Sequence, residues 1–571
     1  MDAETLNRRI EAARGDRPVD MSFRGGRLVN VFSGRVDQVD LAVYDGVVVG
    51  FGNYKADRII DVQGKFLAPA FMDGHLHLES SMLAPPELAK AALPHGTAAV
   101  FCDPHEIANV LGRPGIEYML EVSRGLPLDV FLMLSSCVPA TPLETSGAIL
   151  GVGELLGFRG RDRVLGLAEM MNFPGLVAGF PDALEKVAAF HDLVVDGHAP
   201  LLSGLGLNAY LSAGIGSDHE CTRLDEAVEK LAKGMRIMIR EGTQAKDLEA
   251  LLPLVTAAVS RRCMFVCDDL HADEILESGH LDRILRRAVA LGLDPITAIQ
   301  MVTINTCEYF GLKRRGALVP GYRADLVVLD SLYKFQVEKV FIQGQPVAED
   351  GRLLIDTASF PQTQAKGRFR VAPFSLDSFK IEAKSTQARV IGLIPGQIMT
   401  QHLNMPVKIE NGAVCADFDQ DVAKLAVVER HQATGNIGLG LVQGFGLKKG
   451  ALASSVAHDS HNIVCVGVND RDIHLAVSTV VEMNGGLCVV IDGQVRQQLR
   501  LPVAGLMSDL PVAEVAAGIK RLSVAVGETG CTQDQPFMIL SFLALPVIPS
   551  LKLTDRGLVD VDKFDFVSLF V

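Results

Sequence analysis

The chain of 571 residues is predicted to be an α/β protein: a (β/α)8 TIM-like barrel, a small β domain split around it, and a C-terminal α/β domain. Two changes of texture predict this. Between Phe66 and Arg315, short apolar runs alternate with helical patterns, and roughly 250 residues of that alternation suit eight parallel β/α units. The segments on either side read as short strands separated by turns. The expected boundaries are 1–66 for the first part of the β domain, 67–315 for the barrel, 316–360 for the second part and 369–571 for the last domain.

Each element has its local reason. Arg27–Phe32, Gln38–Tyr44 and Val47–Phe51 read as strands, with Asp45-Gly46 as a turn between the last two. The barrel strands are the runs Ala98–Cys102, Val130–Leu134, Val164–Ala168 and Cys263–Cys267, with helices at Pro86–Leu93, Pro181–His191 and Asp225–Lys233 between them. An open doubly wound sheet is the other α/β arrangement. It would want a Gly-rich phosphate loop after its first strand, and Gly151-Val-Gly153 has the wrong spacing and reads as a loop. Strands return at Arg323–Asp330 and Val337–Val347 and are expected to pair with the N-terminal ones. The polar stretch 361–368 reads as a linker.

Composition narrows the partners. With 54 Lys and Arg against 68 Asp and Glu, the net charge is −14. Such a chain repels a phosphate backbone, so no nucleic-acid partner is expected. Lys313-Arg314-Arg315 reads as a solvated turn after a helix. The N-terminus is charged and lacks a signal-peptide core, and the apolar run Phe537–Ile548 is too short to span a bilayer. A cytoplasmic protein with no membrane partner is the expectation. Ten scattered cysteines without a C-x-x-C pair favour neither a disulfide framework nor a thiolate zinc site.

Chemistry is concentrated where apolar runs end. His75 and His77 close the run that starts at Leu67, and the two-residue period of a strand puts both imidazoles on one side. An H-x-H pair arises by chance, but the pattern repeats. Glu169 closes Val164–Glu169, His198 closes Leu193–His198, His219 closes Ala213–His219, and Asp268 closes Cys263–Asp268. Charge buried at all these ends is costly unless a cation gathers it. The alternative is a separate hydrogen-bond partner for each group. Barrel enzymes build their sites at these strand ends, so a metal-dependent hydrolase is indicated.

This order of ligands resembles the amidohydrolase superfamily. The longer motifs Asp73-Gly-His-Leu-His-Leu-Glu-Ser-Ser-Met-Leu, Asp103-Pro-His-Glu-Ile-Ala-Asn-Val-Leu-Gly, Ser217-Asp-His-Glu and Ala457-His-Asp-Ser-His-Asn resemble its adenine deaminase family along nearly the whole chain. The resemblance implies hydrolysis of adenine to hypoxanthine and ammonia by a metal-activated hydroxide, with two divalent ions, Mn2+ or Fe2+ (Zn2+ being a further candidate). It implies His75, His77 and Asp268 on one ion, His198 and His219 on the other, and Glu169 as the bridge where many relatives carry a modified lysine. Catalytic roles fall to Asp268, which would move the proton, to Glu169, and to Asp103, the first choice for contact with the base. His105, Glu106, His271, His458, Asp459 and His461 are the further substrate-binding candidates. Asp103 has a second reading as the N-cap of the helix that follows, and Asn109 reads as a helix surface residue. One segment departs from the family: T-D-D-R-H-P-D-D-L is replaced by Cys267-Asp-Asp-Leu-His-Ala-Asp-Glu-Ile.

Purine salvage by a homo-oligomer, most simply a dimer, is the expected setting. Two other functions compete. One is an amidohydrolase acting on a cyclic amide or a different aminopurine, although cyclic-amide hydrolases usually carry lysine at the position of Glu169. The other is a metal-binding protein that has lost catalysis, which would show a broken ligand where none is broken. The H-x-E with P-C-x-x-C signature of the zinc nucleobase deaminases is absent, since only His77-Leu-Glu79 matches its first half.

Overall fold

The computed structural model describes residues 1–361, 367 and 369–571. The stretch read as a linker therefore lies outside the described residues apart from Pro361 and Gly367. The chain is mixed α/β, and its centre is parallel sheet. Five strands pair in sequence: β1 (Phe71–Leu76), β2 (Thr97–Cys102), β3 (Asp129–Leu134), β4 (Val164–Met170) and β5 (Val194–Gly197). Three more pair as β6 (Ser217–Asp218), β7 (Arg236–Arg240) and β8 (Cys263–Val266). β1, β2 and β8 are buried at every residue, as strands covered on both faces must be. Met72, Phe101, Met133, Met238 and Met264 fill one side of these strands, where Phe101 stacks on Phe310 at 3.9 Å between ring centroids. Helices such as Pro85–Ala92 and Pro181–Phe190 follow the strands, each begun by a proline whose missing N–H costs nothing in a first turn.

The run from Leu67 to His77 divides at Ala70. Phe66–Pro69 pairs antiparallel with Leu326–Leu329 inside a seven-stranded sheet that also holds Arg27–Asn30 and Val337–Ile342. Only from Phe71 does the chain enter the parallel sheet. A separate four-stranded sheet carries Val19–Arg24 beside Leu41–Tyr44. Gln38–Tyr44, read as one strand, is broken into Arg35–Gln38 and Leu41–Tyr44.

Beyond residue 386, eight strands form a sheet that is antiparallel except for one parallel pair, Gln387–Leu393 with Ile437–Gln443. Helix Asp470–Glu482 covers it, capped by Asn469, whose side chain accepts from the Asp472 amide at 2.8 Å. This region is joined to the parallel strands by polar ties, among them the Val512 amide to Glu87 at 2.9 Å and the Thr145 amide to Asp555 at 2.9 Å. All ten cysteines are free thiols. No helix among the described residues is long and apolar enough to cross a membrane.

Three readings of single residues are corrected. Arg315 is not a solvated turn residue, because it is buried, pairs with Asp129 at 2.8 Å and Asp325 at 3.1 Å, and lies over the Phe131 ring. Asn109 is wholly buried and donates to the His105 carbonyl at 3.0 Å. Gly151 opens a short helix, Val152–Leu156, rather than a loop.

Candidate active site

All six proposed metal ligands converge at the C-terminal ends of the parallel strands, and all are buried. His75 lies on β1 and His77 just beyond it; Glu169 is in β4; His198 and His219 follow β5 and β6 directly, and Asp268 comes two residues after β8. Glu169 is central, and its two oxygens face different partners. Oε1 lies 3.2 Å from His77 Nε2 and 4.0 Å from His75 Nε2. Oε2 lies 2.7 Å from His198 Nδ1 and 3.2 Å from His219 Nε2. Asp268 Oδ1 faces His75 and His77 at 3.4 and 3.2 Å. The His75 and His219 rings stack at 4.0 Å.

The residues present fit a pair of divalent ions. His75, His77 and Asp268 form one group of donor atoms and His75, Glu169 and His219 another. His75 Nε2 is buried without a hydrogen-bond partner and faces Asp268 and Glu169 across the cluster. Burial, then His219, pulls its imidazole down to about 4, which keeps it neutral and able to ligate. Burial pushes the Glu169 and Asp268 carboxyls up, but His219 and His198 outweigh this at Glu169, and His75 and His77 at Asp268. Both are held well below the usual carboxylate range and stay ionised.

A cavity opens over this cluster. His77, His105, Glu106, His458 and Asp459 line it, with Glu220 and Arg240 also in its wall. Ile398, Phe542, Leu545 and Ile548, all from the C-terminal region, supply an apolar wall. Phe542 is fixed against His458 by ring stacking at 4.6 Å and 9°.

Three of the substrate-binding candidates stand off the cavity wall. Asp103 does not line the cavity. Its carboxylate is buried and committed, accepting from Ser135 Oγ at 2.9 Å and meeting His105 Nδ1 at 3.0 Å. Nor does it cap the helix, since Pro104 holds that position. His271 faces a neighbouring chamber with Glu79 and Ser454 instead. His461 stands behind the wall, with Nε2 bonded to Glu106 and Nδ1 accepting from the Ala457 amide at 3.1 Å. His105, Glu106, His458 and Asp459 do face the cavity.

Two wall residues were missed. Arg240 forms a two-pronged ion pair with Glu220, reaches Asp268 Oδ2 at 3.1 Å, and donates from Nε to Asp247 at 2.8 Å. Glu220 in turn stands 3.7 Å from His198 and 3.6 Å from His219. Arg240 closes the apolar strand Arg236–Arg240 just as the ligands close theirs, so the same signal was available for it. Glu220 follows His219 directly in the quoted Ser217-Asp-His-Glu motif. The buried leucine of the altered segment, Leu270, offers no group to the cavity.

Comparison with known proteins agrees with this geometry. Residues 66–347 match the amidohydrolase family and residues 397–565 the adenine deaminase C-terminal domain. The chain is 50% identical over 563 residues to an adenine deaminase of Desulfatibacillum aliphaticivorans, covering 98% of this chain and 99% of that one. It is 50% identical to one of Syntrophobacter fumaroxidans (100% and 99% covered) and 48% identical to one of Oleidesulfovibrio alaskensis (100% of both). The chain belongs to the adenine deaminase family of the amidohydrolases.

Proposed function

We propose that this protein hydrolyses adenine to hypoxanthine and ammonia. The observation that carries the reading is Glu169 set between two groups of imidazoles, one oxygen toward each, at the base of a cavity with an apolar wall. His75, His77 and Asp268 would hold one divalent ion and His198 and His219 the other, with Glu169 shared. Imidazole and carboxylate donors suit Mn2+ or Fe2+, and Zn2+ as well. When bound, the pair lowers the pKa of water to about 7 and so makes hydroxide available at neutral pH.

The protein's own groups do the rest. Water gives its oxygen to carbon 6 of the base, the bond from that carbon to the exocyclic amine breaks, one proton ends on the departing ammonia and the other on the ring. Asp268 is placed to carry the proton, since Oδ1 faces the imidazoles while Arg240 fixes Oδ2. Glu106, His458 and Asp459 stand in the cavity wall beside the place of the base, and His461 holds Glu106 in place. Ile398, Phe542, Leu545 and Ile548 cover its face and keep out bulk water.

We take the eight parallel strands as one closed (β/α)8 barrel. Supporting this, Leu76 bridges Asp268 in parallel register between β1 and β8, and the Gly216 amide donates to Val195 O at 2.9 Å between β5 and β6. Residues 1–66 and 316–360 are assigned to one split β domain, 67–315 to the barrel and 369–571 to a C-terminal domain. The pairing of Phe66–Pro69 with Leu326–Leu329 supports the split domain. Purine salvage in the cytoplasm by a homodimer is the setting proposed.

The test is a substrate panel. Metal-loaded protein given adenine, adenosine and a hydantoin separately should yield hypoxanthine and ammonia from adenine. Opening of the hydantoin ring with adenine untouched would move the chain to the cyclic-amide hydrolases.

A further inference from the structure

Glu106 presents a chemical oddity. It is almost wholly buried, and its Oε1 lies 2.7 Å from His458 Nδ1 and 3.1 Å from His105 Nε2. Yet Oε1 has no partner in hydrogen-bond geometry. An N–H group at such a distance would be expected to aim at the oxygen. The fourth neighbour is Asp459, whose Oδ1 is 3.7 Å from His105 Nε2 and 3.9 Å from His458 Nδ1, and whose Oδ2 is also buried without a partner.

These four side chains each offer one atom, and the four atoms lie within 4.8 Å of one another. Ligands about 2.1 Å from a tetrahedral ion stand roughly 3.4 Å apart, and the four separations above, 2.7, 3.1, 3.7 and 3.9 Å, straddle that value. The outer contacts are those expected around ligands. His105 Nδ1 is held by the Asp103 carboxylate at 3.0 Å and faces Glu169 Oε1 at 3.5 Å, which leaves Nε2 free to ligate, and Glu106 Oε2 is held by His461.

We infer that His105, Glu106, His458 and Asp459 form a further divalent-cation site, adjoining the pair around Glu169 through His105 and shared between the parallel-strand region and the C-terminal region. Two imidazoles and two carboxylates select a borderline metal such as Zn2+, Mn2+ or Fe2+ over Ca2+ or Mg2+. The site opens onto the cavity beside the base, so its ion would draw electron density from a ring nitrogen and make the base a better electrophile. That role rests on the deaminase reading; the binding of the ion does not.

The experiment counts metal on the intact protein. Protein saturated with Mn2+ and freed of loose ion should carry about three ions per chain, while Asp459→Asn and His458→Gln should each carry about two. Crystals of the same wild-type preparation should show an anomalous-scattering peak among the four side chains at the manganese edge. Peaks only around Glu169, or a metal count unchanged in both variants, would overturn the inference. If the variants do not fold, the wild-type map decides alone. Adenine turnover in the same preparations keeps the two claims apart. Three ions without ammonia release would sink the deaminase reading and leave this site standing, whereas full turnover with two ions would do the reverse.

Discussion

Two clusters of buried charge share the ends of the same strands, and they are built in opposite ways. Around Glu169, imidazoles and carboxylates crowd together and leave lone pairs such as His75 Nε2 unsatisfied. A few residues away, on the outer side of β5 and β6, Lys230 is fully buried and gives its three donors to Asp218 at 3.0 Å, Glu226 at 2.6 Å and the Ala199 carbonyl at 2.6 Å. That cluster contains its own cation. The inner one gathers imidazoles around its carboxylates, with the Arg240 guanidinium at its edge. The two are coupled through the chain, because Asp218 precedes His219 and Ala199 follows His198, while Asp218 also accepts from the Ala199 amide at 2.8 Å. Burial of charge alone therefore does not mark a site; an excess of aimed, unpartnered acceptors does.

The comparison can be broken by exchanging one member of each cluster. Glu169→Gln should lower adenine deamination by about a thousandfold or more and release at least one ion, since several kcal/mol of electrostatic stabilisation are withdrawn. An undiminished rate with the metal content intact would sink the bridging role. Lys230→Met should cost about 3–5 kcal/mol of folding stability, as the loss of one partner from a buried ion pair does. Denaturant unfolding reads this directly, and a change below about 1 kcal/mol would place the cluster among dispensable contacts.

Smaller effects lie around the cavity. Arg240→Met leaves the metal ligands in place but frees Asp268 Oδ2, so a fall of about 10- to 100-fold in kcat is expected, the usual scale for groups that orient a ligand. Steady-state kinetics on folded, metal-loaded variant would show it. Phe542→Ala removes part of the apolar wall and should raise KM for adenine by roughly tenfold, with kcat less affected, because the lost contact is worth about 1–1.5 kcal/mol. The exposed pair between Lys520 and Glu277 sets the lower limit. Lys520→Ala should change stability by less than about 0.5 kcal/mol.

Much of the inner cluster was legible because its signal is local. Each of the six proposed ligands closes a short apolar run, and that is visible without knowing where the run goes. Strand β7 ends in Arg240 by the same rule, and attention to metal-binding residue types alone hid it. What was illegible depends on distant partners. Arg315 looks like a solvated base until Asp129, far away in sequence, is brought beside it. Asp103 looks like a contact to the base because it stands at a strand end, but Ser135 on the next strand's end and its own neighbour His105 occupy its carboxylate. The apolar wall carries no motif, since Ile398 and Phe542 are ordinary hydrophobic residues until the C-terminal region packs over the cavity. The break at Ala70 was hidden because an apolar run that changes sheets looks the same as one that does not.

Adenine turnover in water enriched in the heavy oxygen isotope tests the central claim most directly. Metal-loaded protein should form one labelled hypoxanthine for each ammonia released, and chelation should stop both together. Adenine left intact by fully loaded, folded protein, or hypoxanthine formed without the label, would contradict hydrolysis of adenine at the cluster that begins with His75 and His77.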